Sequence, residues 1–96
     1  MLVVFEHVRR GLTAKQIIQP IVSLGMPSHV HKGSDGTTWA ITMNSMEQAK
    51  DAVWVLQRHL LRIHQFYGPS VGVAFANALP STIAFVSKSV TGRAEQ

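Results

Sequence analysis

Apolar residues recur at alternating spacings of three and four through the middle of the chain: Met46, Ala49, Val53, Leu56, Leu60, Ile63 and Tyr67. On a helix these positions form one stripe, so the spacing predicts a long amphipathic helix from Asn44 to Tyr67. Asn44 with Glu47, and Ser45 with Gln48, both offer a capping-box start, and Gly68-Pro69 offers a stop. The apolar arc is wider than one row. Trp54 and Leu61 add one flank, and Ala52 and Phe66 add the other.

The segments on either side follow different periods. Leu2 to Val8 is apolar on both faces at first, which suits a central strand. Thr13 and Gln16 form a second capping box, opening a helix from Ala14 to Leu24 with Pro20 inside it and Gly25 at its end. Ser28 to Met43 reads as a hairpin around the turn Gly33-Ser34-Asp35-Gly36. A four-residue loop would pair Lys32 with Thr37, His31 with Thr38 and Val30 with Trp39. Val30, Trp39, Ile41 and Met43 then share the buried face, and His29, His31, Thr38, Ala40 and Thr42 share the other. Gly68 to Ser87 holds no charged residue, but Pro69, Asn77 and Pro80 interrupt it. It predicts two strands, Val71 to Ala76 and Thr82 to Lys88, rather than a membrane span.

The resulting order is strand, helix, strand, strand, helix, then one or two strands. That predicts an α+β fold of the ferredoxin-like (βαββαβ) kind: a sandwich of one antiparallel sheet with two helices on one face. Ninety-six residues suffice for one domain, expected over 1–90, with a flexible tail at 91–96.

Composition narrows the function classes without choosing among them. Hydrophobic residues at 46% and charged residues at 15% fit a folded chain rather than a disordered one. The net charge of +4 favours anionic partners, yet the nine Lys and Arg form no run of four. The absence of cysteine excludes disulfides and thiolate chemistry. Met1-Leu2-Val3-Val4-Phe5-Glu6 lacks the basic start and long apolar core of a secretory leader, so a cytoplasmic location is expected.

Leu24-Gly25-Met26-Pro27-Ser28-His29-Val30, the glycine turn, Trp39-Ala40-Ile41 and the acidic, capped helix carrying Ala49 to Leu56 compose a βαββα pattern. Over about Leu12 to Leu61 the chain resembles the cytoplasmic N-terminal domain of bacterial rhomboid proteases. It also resembles a family of small signal-transducing βαββα domains. The resemblance implies a non-catalytic regulatory or interaction module. The membrane spans and catalytic core of a rhomboid are not matched, so no protease activity is implied.

Three sets of residues could carry chemistry. His29 and His31 alternate on one strand face and are candidate metal ligands. The histidine–hydrophobe–histidine pattern resembles rolling-circle and relaxase-type nucleases, in which a helix tyrosine attacks a phosphate. Tyr67 is the sole tyrosine, but no lysine follows it at helical spacing. Arg9, Arg10, Lys32, Arg58 and Arg62 are the candidate phosphate contacts of a weak nucleic-acid binder. Trp54, Arg58 and Leu61 form the third set, a candidate protein-binding patch whose composition suits an interaction hot spot. With five carboxylates and no nucleophile elbow or phosphate loop, no catalytic constellation can be assembled. The expectation is therefore a non-enzyme without cofactor that binds protein, itself included, as a homodimer through its helices or an edge strand.

Overall fold

The computed structural model describes residues 1–90. Its elements are β1 (Leu2–Glu6), α1 (Ala14–Ile18), β2 (His29–Gly33), β3 (Trp39–Thr42), α2 (Met46–Arg58), α3 (Leu60–Tyr67), β4 (Gly72–Ala76) and β5 (Phe85–Ser89). The strands form one antiparallel sheet in the order β4-β1-β3-β2-β5. The fold is α+β, and the tail expected at 91–96 lies outside the described residues.

Alternation along the strands divides the sheet into two faces. Val3, Phe5, Val30, Trp39, Ile41 and Val73 join Ile17, Ile21, Ala49, Ala52, Val53, Leu56, Ile63 and Tyr67 in the main core. The helices therefore cover that face. The other face carries a smaller cluster of Leu2, Val4 and Ala40, with Leu79 against it. Leu79 belongs to the connection between β4 and β5. Those strands lie at opposite edges of the sheet, so residues 77–84 pass from one edge to the other. They are not neighbours joined by a tight turn.

The hairpin faces are as the alternation predicts, but the register is not. His29 opposes Thr42, Val30 opposes Ile41, His31 opposes Ala40 and Lys32 opposes Trp39. This is a slip of two residues from the expected pairing. A slip of two returns every side chain to the same face, so the division into buried and open faces survives it. The turn itself is organised by Asp35. Its Oδ1 accepts the Thr37 and Thr38 N–H groups, both at 2.9 Å, and its Oδ2 accepts the Thr38 hydroxyl at 2.8 Å. Gly36 has φ 78°, a conformation that a side chain strains, and Arg10 lies where its Cβ would be.

These bonds hold the Asp35 carboxyl down at about 2, the Thr37 backbone and Thr38 hydroxyl contributing most. A carboxylate depressed below its ordinary 3.8 adds stability above that value and loses it as pH falls through about 2. Asp35→Ala is expected to lower stability by about 1–2 kcal/mol at neutral pH through its lost hydrogen bonds. The difference from wild type should shrink as pH falls from 4 towards 2. Urea unfolding across that range measures it, and a gap that stays constant would refute the assignment.

The long helix is interrupted. His59 leaves helical geometry at φ −116°, ψ 53°, which separates α2 from α3. The protein thus has three helices, among the described residues, where two were expected. No proline or glycine causes the break. Tertiary contacts hold α3 at its middle and its C-terminal end instead: Ile63 and Tyr67 are buried in the core, and the Arg9 N–H bonds the Tyr67 carbonyl at 2.8 Å. The interruption re-aims the stripe so that Ile63 and Tyr67 face inward while Leu60 turns to solvent. Histidine is only a modest helix former, which makes the break less costly there than at a leucine. The first helix is also shorter than its pattern. The Thr13–Gln16 capping box forms, with Gln16 N–H donating to Thr13 Oγ1 at 3.2 Å and Thr13 N–H to Gln16 Oε1 at 2.8 Å. Regular helix ends at Ile18, and turns continue to Leu24 around Pro20.

Candidate functional site

The inner side of α2 is fixed by Ala49, Ala52, Val53 and Leu56, all buried. Trp54 is one residue, about 100° of helix, beyond Val53, and it points outward. It is 60% exposed, and Leu61, just past the break, is 81% exposed. Neither β4 nor β5 covers them, because both strands extend the sheet at its edges. The Arg58 guanidinium sits 4.4 Å over the Trp54 ring. Such a contact stabilises an exposed pair by about 0.5–1 kcal/mol and holds the indole in one orientation. Arg58, His59, Leu60, Leu61 and Arg62 line a concavity at the elbow between α2 and α3. A second groove, about 390 Å³, lies between the turns after α1 and the two helices. Leu24, Leu56, Ile63 and Phe66 line it, and His59 and Arg62 stand at its margin.

The five candidate phosphate contacts do not form one strip. Arg58 and Arg62 share the elbow. Arg9 donates to the Gln65 carbonyl at 3.2 Å, at the far end of α3. Arg10 lies over Gly36 at the hairpin turn. Lys32 stands over the Trp39 ring, 5.5 Å from its centroid. Trp39 is buried in the main core, so it offers no open face for a base to stack on.

His29 and His31 do lie together on the face turned away from the helices, His29 exposed and His31 buried, with ring centroids 6.2 Å apart and planes at 19°. Both His31 nitrogens are engaged: Nδ1 with Ser87 Oγ at 2.5 Å and Nε2 with Thr42 Oγ1 at 2.7 Å. His31 thus links β3, β2 and β5 through side chains. One nitrogen of a neutral imidazole donates and the other accepts, which two hydroxyls can match. A metal bound through either His31 nitrogen would have to take the place of one of these hydroxyls. No group of three or more His, Asp or Glu able to hold a metal occurs among the described residues. The Tyr67 hydroxyl is buried and donates to the Ile17 carbonyl at 2.7 Å, so it is not presented to a phosphate.

Burial, and secondarily the neighbouring His29, pushes the His31 imidazole below its ordinary 6.5. The folded protein therefore takes up this proton less readily than the unfolded chain, and stability should fall as pH drops below 6.5. His31→Gln should flatten that decline between pH 7 and 5. An unchanged pH dependence of the urea midpoint in the variant would show that another group is responsible.

No protein-family model matches the chain, and neither a curated protein nor a solved structure matches it. The assignment of function therefore stands on this geometry. None of the helices among the described residues is long and apolar enough to cross a membrane.

Two participants escape the sequence pattern. Leu60 belongs to the apolar stripe by spacing, but the break at His59 turns it into the exposed elbow. Ser87 is 56 residues from His31, and only the placement of β5 beside β2 brings them together. No local signal marks that pair.

Proposed function

We propose that this protein is a small, non-catalytic protein-interaction or regulatory module that also self-associates. The observation that carries the reading is the elbow: Trp54, Leu60 and Leu61 exposed together beside Arg58 and Arg62. Large apolar side chains clustered at the surface are uncommon on proteins that act alone, and Trp with Arg is the pairing enriched in binding hot spots. The adjoining groove adds an apolar floor for a partner's side chain. The resemblance to rhomboid cytoplasmic domains points the same way, towards a regulatory module in the cytoplasm.

The sheet order supports a ferredoxin-like plan. Strands β4-β1-β3-β2 follow the sequence of a split βαβ, and β5 is an addition beside β2. That plan hosts many functions, so the elbow rather than the fold bears the argument. A nucleic-acid role is favoured only by Arg58 and Arg62 in one concavity. With the other cations dispersed, few counterions would be released, and such binding would be weak and lost at moderate salt.

Tagged wild type and the double variant Trp54→Ala, Leu61→Asp test the reading by quantitative capture from lysate. Both positions are exposed, so unfolding free energies should agree to within about 1 kcal/mol, the loss expected with the Arg58–Trp54 contact. The variant should lose the proteins that wild type retains. Equal capture by the two would remove the elbow as the binding surface.

A further inference from the structure

We infer that self-association, the part of the proposed function on which this rests, runs through the free edge of β4, pairing it antiparallel with β4 of a second copy. Hydrogen bonds along the sheet show which groups that edge presents. The Met43 N–H donates to the Met1 carbonyl at 3.0 Å, next to the Leu2–Thr42 pair. Residues of an antiparallel strand turn their backbone groups alternately to each neighbour. Val3 and Phe5 therefore bond towards β3, and Leu2, Val4 and Glu6 towards β4. Their partners Ala76, Ala74 and Gly72 bond inward, which leaves Val73 and Phe75 with N–H and C=O directed out of the sheet.

The Val73 carbonyl is already met from that side. Gln57 of α2 donates its Nε2–H to it at 2.7 Å, as the N–H of an added strand would. Lys50, also on α2, reaches over the Phe75 ring at 5.3 Å. Both side chains are exposed and can swing away. They make pairing a competition, which weakens the dimer.

Charge selects a second copy here over the other two surfaces. A two-fold axis through the elbow would set Arg58 and Arg62 against their own images, and the only acidic residues on α2 or α3, Glu47 and Asp51, are at the start of α2. The β5 edge strand carries Lys88. Gly72–Ala76 carries neither a charge nor a proline, the usual devices that keep an edge from pairing with its like. Centring the axis on Ala74 keeps all five residues paired. Val73 of one copy then exchanges bonds with Phe75 of the other, and Ala74 faces its own image in a non-hydrogen-bonded pair, about 4.5 Å between Cα atoms. One short edge gives less contact than the roughly 1,200–2,000 Å² of a stable interface, so a weak dimer is expected.

The chain has no cysteine, so Ala74→Cys introduces a single thiol at the axis. Under oxidised glutathione it should form a disulfide-linked dimer at least about tenfold faster than Ala78→Cys, an exposed control in the crossing loop, because non-hydrogen-bonded pairs bring Cβ atoms within bridging range. Sedimentation at high concentration should show wild type dimerising, Ala74→Glu monomeric, and Gln57→Leu associating about tenfold to a hundredfold more tightly, as expected when each of the two copies loses one competing hydrogen bond. Equal cross-linking of the two cysteine variants, or an Ala74→Glu protein that dimerises like wild type, overturns the β4 interface. If wild type dimerises but Leu61→Asp abolishes it, self-association stands and this interface fails. A wild type that stays monomeric overturns both.

Discussion

Replacing Tyr67 with alanine is expected to cost about 3–5 kcal/mol, a large share of the roughly 5–15 kcal/mol that stabilises a domain of this size. Tyr67 is fully buried, and its ring packs against Phe5 at 4.8 Å and Phe66 at 4.9 Å. Its hydroxyl meets the Ile17 carbonyl, which lies in the last turn of a five-residue helix. Carbonyls in a last turn have no partner within the helix. The one side chain thus fills the core under β1 and ties α3 to α1. Tyr67→Phe separates the two effects: it keeps the ring, leaves the carbonyl unpaired, and should cost about 1–3 kcal/mol. Urea unfolding that finds Tyr67→Phe equal to wild type would remove the hydrogen bond from the account.

The same burial gives a second readout. It pushes the Tyr67 phenol well above its ordinary 10.0. A group whose pKa is raised in the folded state holds its proton there while the unfolded chain loses it. Its contribution is therefore complete below pH 10 and lost as pH rises beyond it. As the sole tyrosine, its phenolate absorbance should appear only when the protein unfolds in alkali.

Tyr67 also shows what the chain reveals about its fold and what it withholds. Its place on the stripe is legible from spacing alone, and so is the outward flank of Trp54 and Leu61. Spacing does not reveal the break at His59, because threes and fours continue through it and only tertiary anchoring of α3 interrupts them. Hence Leu60 reads as core and stands in the elbow. The hairpin behaves likewise: parity determines its faces, while the register depends on how far pairing continues into the turn. There Gly33 and Thr38 form one more bonded pair, at 2.7 Å. The position of β5 has no local signature at all. Phe85–Ser89 is short and largely exposed, and its pairing with β2 is decided by the loop that crosses the sheet. The His31 network and the freedom of the β4 edge both follow from that long-range choice.

Gly33 is where the crossing loop and the hairpin meet, and it yields the second large effect. Two strand glycines make the comparison. A Cβ on Gly72 would meet nothing within 4 Å, whereas one on Gly33 would lie 2.7 Å from Ile83 Cδ1 and 2.8 Å from the Thr38 carbonyl oxygen. Gly72→Ala should be neutral or stabilising by about 0.5–1 kcal/mol, since glycine is the more costly residue to order. Gly33→Ala should lose about 2–3 kcal/mol through overpacking. The Ile83 side chain can rotate aside. Thr38 cannot, because its carbonyl accepts the Gly33 N–H and its N–H and hydroxyl are held by Asp35. The double variant Gly33→Ala, Ile83→Ala apportions the loss. If the loop is the obstacle, coupling between the two positions should restore about 1 kcal/mol or more relative to additivity. If the Thr38 carbonyl is the obstacle, the losses should add. Equal unfolding free energies for Gly33→Ala and Gly72→Ala would mean that residues 77–84 do not press on β2 in solution, and the path of the crossing loop would have to be redrawn.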